Sequence, residues 1–552
     1  MKNLLFWVLL QCCWLAPLSA QVDFYHHHKF DQADTLRGML LPERACYDVK
    51  FYALDLCVDV EQKTIVGEVQ IDYEVVEPFT RMQIDLFQNL KIHDILQQGK
   101  SLSYERIANA VLITLPLQKE KGSITVRYGG QPIIAKNAPW DGGFVWKNSS
   151  NGKAWVGVAC EGTGASLWWP NKDHLSDEPD SLSIKVTVPK DLTCISNGIL
   201  RNSIPVGTTQ QQFHWFVSYP INNYNVTLNI GDYKHFQDQY TADDGEKLDL
   251  DYYVLSENLA KAKKHFQQVP KVLACFERYF GKYPFWEDGY ALVETPYLGM
   301  EHQGAIAYGN RYMRGYLGGM IPRDMNWDYI IVHETGHEYW GNSISCNDHA
   351  EMWIHESFTT YMEALYVECA YDYEQSIRYL KSQLSFIANK QPIVGPLNVN
   401  WAEWNGSDHY FKGSWVLHTL RHAINDDLTW FEILKSFYDQ HAYGHVVTED
   451  FVAYVNKCTK KDFRAFFQQY LYYPTIPSFQ YELSEKAGNL TLRYRWDTPV
   501  TNFDMPLKVG TVDKYQMIHP TTNWQTTTLK KVNAKNFKVA TELFLINTTE
   551  VL

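Results

Sequence analysis

A chain that contains IVHETGHEYWGN can fold in few ways around those twelve letters. His333 and His337 stand four apart, so on a helix they leave the same face one turn from each other. Ile330, Ile331, Val332, Tyr339 and Trp340 surround them and are apolar, so the helix is expected to be buried. Two histidines and two glutamates, Glu334 and Glu338, then sit in a core, where unpartnered polar groups are costly. A metal ion can partner several of them at once. The spacing fits two imidazole nitrogens on one zinc ion, and Glu334 between them lies beside the metal as a base rather than as a ligand.

A catalytic zinc takes a third protein ligand and keeps one position open. Downstream, EMWIHESFTTYMEALYVE reads as a second helix. Glu356 follows His337 after an interval that fits a loop and the first turn of an antiparallel helix. His355 and Glu351 are rival ligands on the same stretch.

His333, Glu334, His337 and Glu356 at this spacing resemble the aminopeptidase N and leukotriene hydrolase family of zinc metallopeptidases, the gluzincins. The family's WLNEG-like string around the third ligand is here Trp353, Ile354, His355, Glu356 and Ser357, with His for Asn and Ser for Gly. LGMEHQG is similar to the family's Gly-Ala-Met-Glu-Asn string: Met300 and Glu301 match, while Leu298, Gly299 and His302 depart. The resemblance implies that Glu301 grips the free α-amino group of a peptide, with Gly299 and Met300 as an edge strand alongside its backbone. YFKGSWVLHTLRHAI resembles the family's Tyr-x-Lys-Gly segment, which makes Tyr410 the donor to the reacting carbonyl oxygen. ACEGTGASLWWPNKDHLSDEP is similar to a Gln-x-Glu stretch, with Ala159 for Gln, and assigns Glu161 as a second acidic group near the amine. These motifs fall in the family's order over roughly residues 45–475.

The residue types suit that chemistry independently. Removing terminal residues requires recognition of a cation and exclusion of longer chains. A carboxylate near the metal, Glu301 or Glu161, pairs with an ammonium through charge-assisted hydrogen bonds. A tyrosine hydroxyl aimed at a developing oxyanion stabilises a tetrahedral intermediate. With 36 tyrosines in the chain, only the surrounding motif singles out Tyr410.

A length of 552 residues implies about three domains. MKNLLFWVLLQCCWLAPLSAQ reads as a secretory signal cleaved after Ala20, too short in its apolar run to anchor in a membrane. From Cys46 to Leu255 the pattern alternates with period two, predicting a large antiparallel β domain over 21–255. Helical periods then dominate, predicting a thermolysin-like, mainly helical zinc domain over 256–475. Alternation returns over 476–552 as a small β-sandwich. The fold class is multidomain α+β, without the long helical solenoid of larger family members. A formal charge of −13 and the lack of a basic stripe disfavour nucleic acid. Eight of the ten cysteines lie beyond the signal, scattered and without a CxxC pair; most are expected to be buried thiols. His26, His27 and His28 read as a flexible lead-in.

The expected function is therefore a zinc-dependent aminopeptidase with one zinc per chain. It acts on peptides with a free N-terminus and is exported to a periplasmic or extracellular compartment. Its metal ligands are His333, His337 and Glu356, its base Glu334, its oxyanion donor Tyr410, and its substrate contacts Glu301, Glu161, Gly299 and Met300. The alternatives are a bifunctional epoxide hydrolase and a non-catalytic family scaffold. The sequence leaves the oligomeric state open.

Overall fold

In a computed structural model, residues 24–486 and 489–551 are described. The expected leader, residues 1–20, lies outside the described residues. An eight-stranded sheet dominates the first part of the chain, with Tyr47–Asp59 and Thr64–Val75 near its centre and Ile199–Val206 and Lys100–Ser101 at its edges. Alternate residues of its strands are buried: Tyr47, Val49, Tyr52, Leu54, Leu56 and Val58 all face the core. The sheet is not wholly antiparallel. Tyr47–Asp59 pairs in parallel with Ser181–Pro189, a feature that period-two alternation carries no information about. Three- and four-stranded sheets complete this region. The strand Ala154–Ala159 ends one residue before Cys160 and so delivers Glu161 at its tip.

The division expected at residue 255 falls within a sheet. Tyr233–Thr241 and Lys247–Leu255 form a hairpin that continues through Tyr290–Glu294 and Ile306–Tyr308 to the edge strand Gly299–Met300. Tyr240, Leu248, Leu250, Tyr252 and Val254 accordingly pack in the core that serves the helices. Alternation identifies strands but does not say which sheet they join.

The helix Tyr329–His337 (the histidine helix) packs against Trp353–Ala370 (the glutamate helix). The glutamate helix also packs against Phe411–Ile424 (the tyrosine helix). Asp328 caps the histidine helix, its Oδ1 accepting from Ile330 N and Ile331 N, while its Oδ2 accepts from Tyr308 Oη at 2.8 Å. The last part of the chain forms four- and three-stranded sheets around Phe479, Leu492, Trp496 and Phe503.

Four of the eight cysteines, Cys46, Cys160, Cys194 and Cys346, are buried thiols, short of the majority expected; Cys57 is half-buried, Cys458 exposed, and Cys275 and Cys369 form a disulfide that joins the helix Val269–Phe280 to the end of the glutamate helix. Their separation of 94 residues hides the pairing from the sequence. The lead-in is also not loose: the rings of Tyr25 and His28 lie 5.0 and 4.9 Å from that of Trp401. Among the described residues no helix is long and apolar enough to cross a membrane.

Candidate metal centre and peptide cleft

The histidine and glutamate helices bring His333, His337 and Glu356 to one point, each side chain buried. His333 directs Nδ1 to Glu363 Oε1 at 2.6 Å, and His337 directs Nδ1 to the Trp340 carbonyl at 3.0 Å. Both partners are acceptors, so in the neutral rings both Nδ1 atoms carry the hydrogen and both Nε2 atoms present lone pairs. Those Nε2 atoms stand 3.1 Å apart, with Glu356 Oε2 at 3.4 Å from His333 and 3.3 Å from His337. Glu356 Oε2 makes no hydrogen bond among the described residues. Lone pairs crowded together out of water repel one another unless a cation lies between them. Two imidazoles and a carboxylate, with the imidazoles oriented from behind, are the donor set of a zinc site with an open position. The residues fit the metal.

The two rival ligands are engaged elsewhere. His355 Nε2 accepts the Cys346 N–H at 2.9 Å, and Glu351 Oε1 accepts the Thr448 N–H at 2.7 Å. The two departures in the WLNEG-like string thus have local uses. His355 holds the Cys346 backbone, and Ser357 Oγ donates to the His409 carbonyl at 2.7 Å, next to Tyr410. Gly413 is what lets the tyrosine helix come this close, because a Cβ there would fall 1.6 Å from Ser357 Oγ.

Glu334 lies 5 % exposed beside the triad. Burial pushes its carboxyl up to about 8, against the opposing pull of His333 and His337. Glu301, Glu334 and His337 also form a compact group. Glu301 Oε1 accepts from Tyr224 Oη at 3.1 Å, and its backbone carbonyl accepts from Asn342 Nδ2 at 2.7 Å. Burial raises the Glu301 carboxyl, and burial together with Glu301, Glu356 and Glu334 raises that of Glu161 well above the ordinary range. A cation arriving among these carboxylates would favour their ionised forms. Gly299 lies over Glu334, and a Cβ there would be 2.7 Å from Glu334 Oε1. Gly299 and Met300 form the outermost strand of their sheet, with a free edge. Tyr410 precedes the tyrosine helix, its ring 6.1 Å from that of His333. Burial, and then Glu356 and Glu161, hold the Tyr410 hydroxyl well above its ordinary value, so it remains a donor.

The residues singled out from sequence thus lie near one another around the triad. Three contributors were missed. Glu363 orients His333 and also accepts from Tyr379 Oη; it stands seven residues after Glu356, on the same helix face, so spacing alone could have suggested it. Tyr224 holds Glu301, and the Trp340 carbonyl holds His337; neither carries a sequence signal. His302 is fully buried, both ring nitrogens lack partners among the described residues, and burial pushes its pKa down to about 3.

The fold and the metal-binding triad define the class: a zinc metallopeptidase built on paired helices behind a β-edge. Residues 265–470 match the peptidase family M1 domain, and the relatives that the chain resembles include several aminopeptidases N. It is 22% identical to an aminopeptidase N from Acetobacter pasteurianus, over 56% of this chain and 88% of that one. It is 23% identical to an aminopeptidase N from Haemophilus influenzae, over 62% of this chain but only 42% of that longer one. A crystal structure of an M1 zinc metallopeptidase from Deinococcus radiodurans shares the fold, with a TM-score of 0.63 at 20% identity, covering 75% of this chain and 90% of that one.

Proposed function

We propose that the protein is an aminopeptidase that binds one zinc ion through His333, His337 and Glu356 and hydrolyses the first bond of peptides bearing a free amine. The observation that carries this reading is the position of Glu301 and Glu161: two buried carboxylates beside the triad, Glu301 grouped with Glu334 and His337 and Glu161 opposed by the charges of Glu301, Glu356 and Glu334. An α-ammonium fits there, and a chain continuing past the amine would leave them unpaired. Zinc, when bound, would supply a Lewis acid that acidifies water and polarises a carbonyl. The chain's own groups do the rest. Glu301 and Glu161 fix the ammonium, so that only the first carbonyl reaches Glu334 and Tyr410. Glu334 takes the proton of the attacking water and passes it to the departing amine. The Tyr410 hydroxyl donates to the carbonyl oxygen as it gains charge. The free edge at Gly299–Met300 accepts the substrate backbone as an added strand.

Export is part of the same proposal. It rests on the leader-like first twenty residues and on the Cys275–Cys369 disulfide, a bond that persists in oxidising compartments. Amino-terminal sequencing of secreted material checks it, with Gln21 expected as the first residue.

The test of activity is a matched pair of peptides, one free and one N-acetylated. The free peptide is expected to lose its first residue and the acetylated one to survive. Equal cleavage of both would refute the exopeptidase reading.

A further inference from the structure

The histidine helix gives the cleft a direction. Its His337 end lies at the amine clamp, in one group with Glu301. Glu334, about one turn back, and Ile330, about two turns back, lie under Gly299. A peptide that places its amine at Glu301 and runs along the Gly299–Met300 edge must therefore continue towards Leu298 and the start of the helix. At that end Gly309 N donates to the Leu298 carbonyl, and the loop from Asn310 to Pro322 begins.

This loop is held rigidly by its own polar groups. Asn310, fully buried, donates to the carbonyls of Met313 and Gly315 and accepts from Leu317 N. The Arg314 guanidinium donates to the carbonyls of Met325, Gly318, Ile321 and Pro322. The loop is also pinned to the histidine helix: Gly315 N donates to the Trp327 carbonyl, and Tyr329 N donates to that of Gly315. Besides the exposed Arg311, its larger side chains on the surface are apolar or aromatic. Tyr316 is half-buried, with its ring edge-on to Tyr329 at 5.7 Å, and Tyr329 in turn stacks on His333 at 5.3 Å. Tyr316 lies within electrostatic range of Glu334. Leu317 and Met313, either side of it in the chain, are 42% and 40% exposed.

We infer that Tyr316, flanked by Leu317, is the wall that receives the side chain of the substrate's second residue. The protein accordingly favours peptides whose second residue is apolar or aromatic. This rests on the aminopeptidase reading, since the amine clamp supplies the direction. A loop stiffened by an arginine and a buried asparagine keeps large apolar side chains at the cleft rim without reorganisation, and such surface is a binding asset when a substrate covers it.

The test compares kcat/KM for Ala-Phe-Gly and Ala-Gly-Gly in the parent protein and in Tyr316→Ala, Tyr316→Phe and Leu317→Ser. Burying a phenylalanine against this wall predicts a parental ratio of about ten or more. Tyr316→Ala should bring the ratio below about three, and Tyr316→Phe should keep it, since the ring and not the hydroxyl makes the wall. Leu317 is exposed, so its serine variant should fold and still lower the ratio at least about twofold; it decides the matter if Tyr316→Ala does not fold. A parental ratio near one, or a ratio unmoved in both Tyr316→Ala and Leu317→Ser, overturns the inference. A parent that cleaves neither peptide overturns the aminopeptidase reading itself.

Discussion

The two sides of the cleft are built differently. The metal-facing side comes from two regular helices, and each of its two imidazoles has an orienting partner: Glu363 behind His333 and the Trp340 carbonyl behind His337. The side proposed to face substrate comes from a strand tip at Glu161, a two-residue edge strand at Gly299–Met300, the residue before a helix at Tyr410 and the loop around Tyr316. Helices hold a reaction geometry closely, whereas strand ends and loops can vary what is recognised without disturbing it. Substitutions on the first side should therefore move metal content or turnover, and those on the second should move selectivity.

The largest effect that sharpens this contrast is expected at Glu334. Glu334→Gln should retain zinc by elemental analysis and lose about 10²–10⁴-fold in kcat; parental turnover would remove Glu334 as the base. Tyr410 lies at the border of the two sides. Tyr410→Phe should lower kcat by about 10²–10³-fold with little change in KM, read from initial rates over a substrate series. Glu363→Gln probes the helical side without touching substrate. It should weaken zinc affinity about 10–100-fold in a chelator competition, and unchanged affinity would show that His333 needs no orienting carboxylate. Cys275→Ser with Cys369→Ser should cost about 2–4 kcal/mol of stability in denaturant titrations while leaving the metal site competent. The smallest effect concerns Glu351, behind the metal side. Burial raises its carboxyl to about 7. A raised folded pKa means the folded state prefers the protonated form, so the stability it contributes is full below the ordinary value of 4.5 and is lost as pH rises through about 7. Glu351→Gln should flatten that decline in Tm between those pH values; an identical slope would contradict it.

The same contrast explains what the sequence discloses. The helical side was largely legible, because His333, Glu334 and His337 follow a period that only a helix uses, and Glu356 begins the next helix-like run. Glu363 belongs to that run and was readable in principle. The other side is assembled from distant segments, such as Tyr224 and Asn342, which hold Glu301 from 77 and 41 residues away, and no local period links them. Motif resemblance named Glu301, Glu161 and Tyr410. The partners that hold them in place, and Tyr316, follow only from the tertiary arrangement. The parallel Tyr47–Asp59 pairing, the sheet that spans residue 255 and the Cys275–Cys369 bond were hidden for the same reason: each is a long-range pairing that composition and alternation leave undetermined.

Metal binding, substrate positioning and turnover all depend on the shared focus of His333, His337 and Glu356. An anomalous difference map collected at the zinc absorption edge on crystals of the purified protein tests it directly. The expected result is a single strong peak in contact with both Nε2 atoms and a Glu356 carboxylate oxygen, with Glu334 beside it but not bound. No peak there in zinc-supplemented crystals, or a peak held by His355 or Glu351 in place of Glu356, would contradict it.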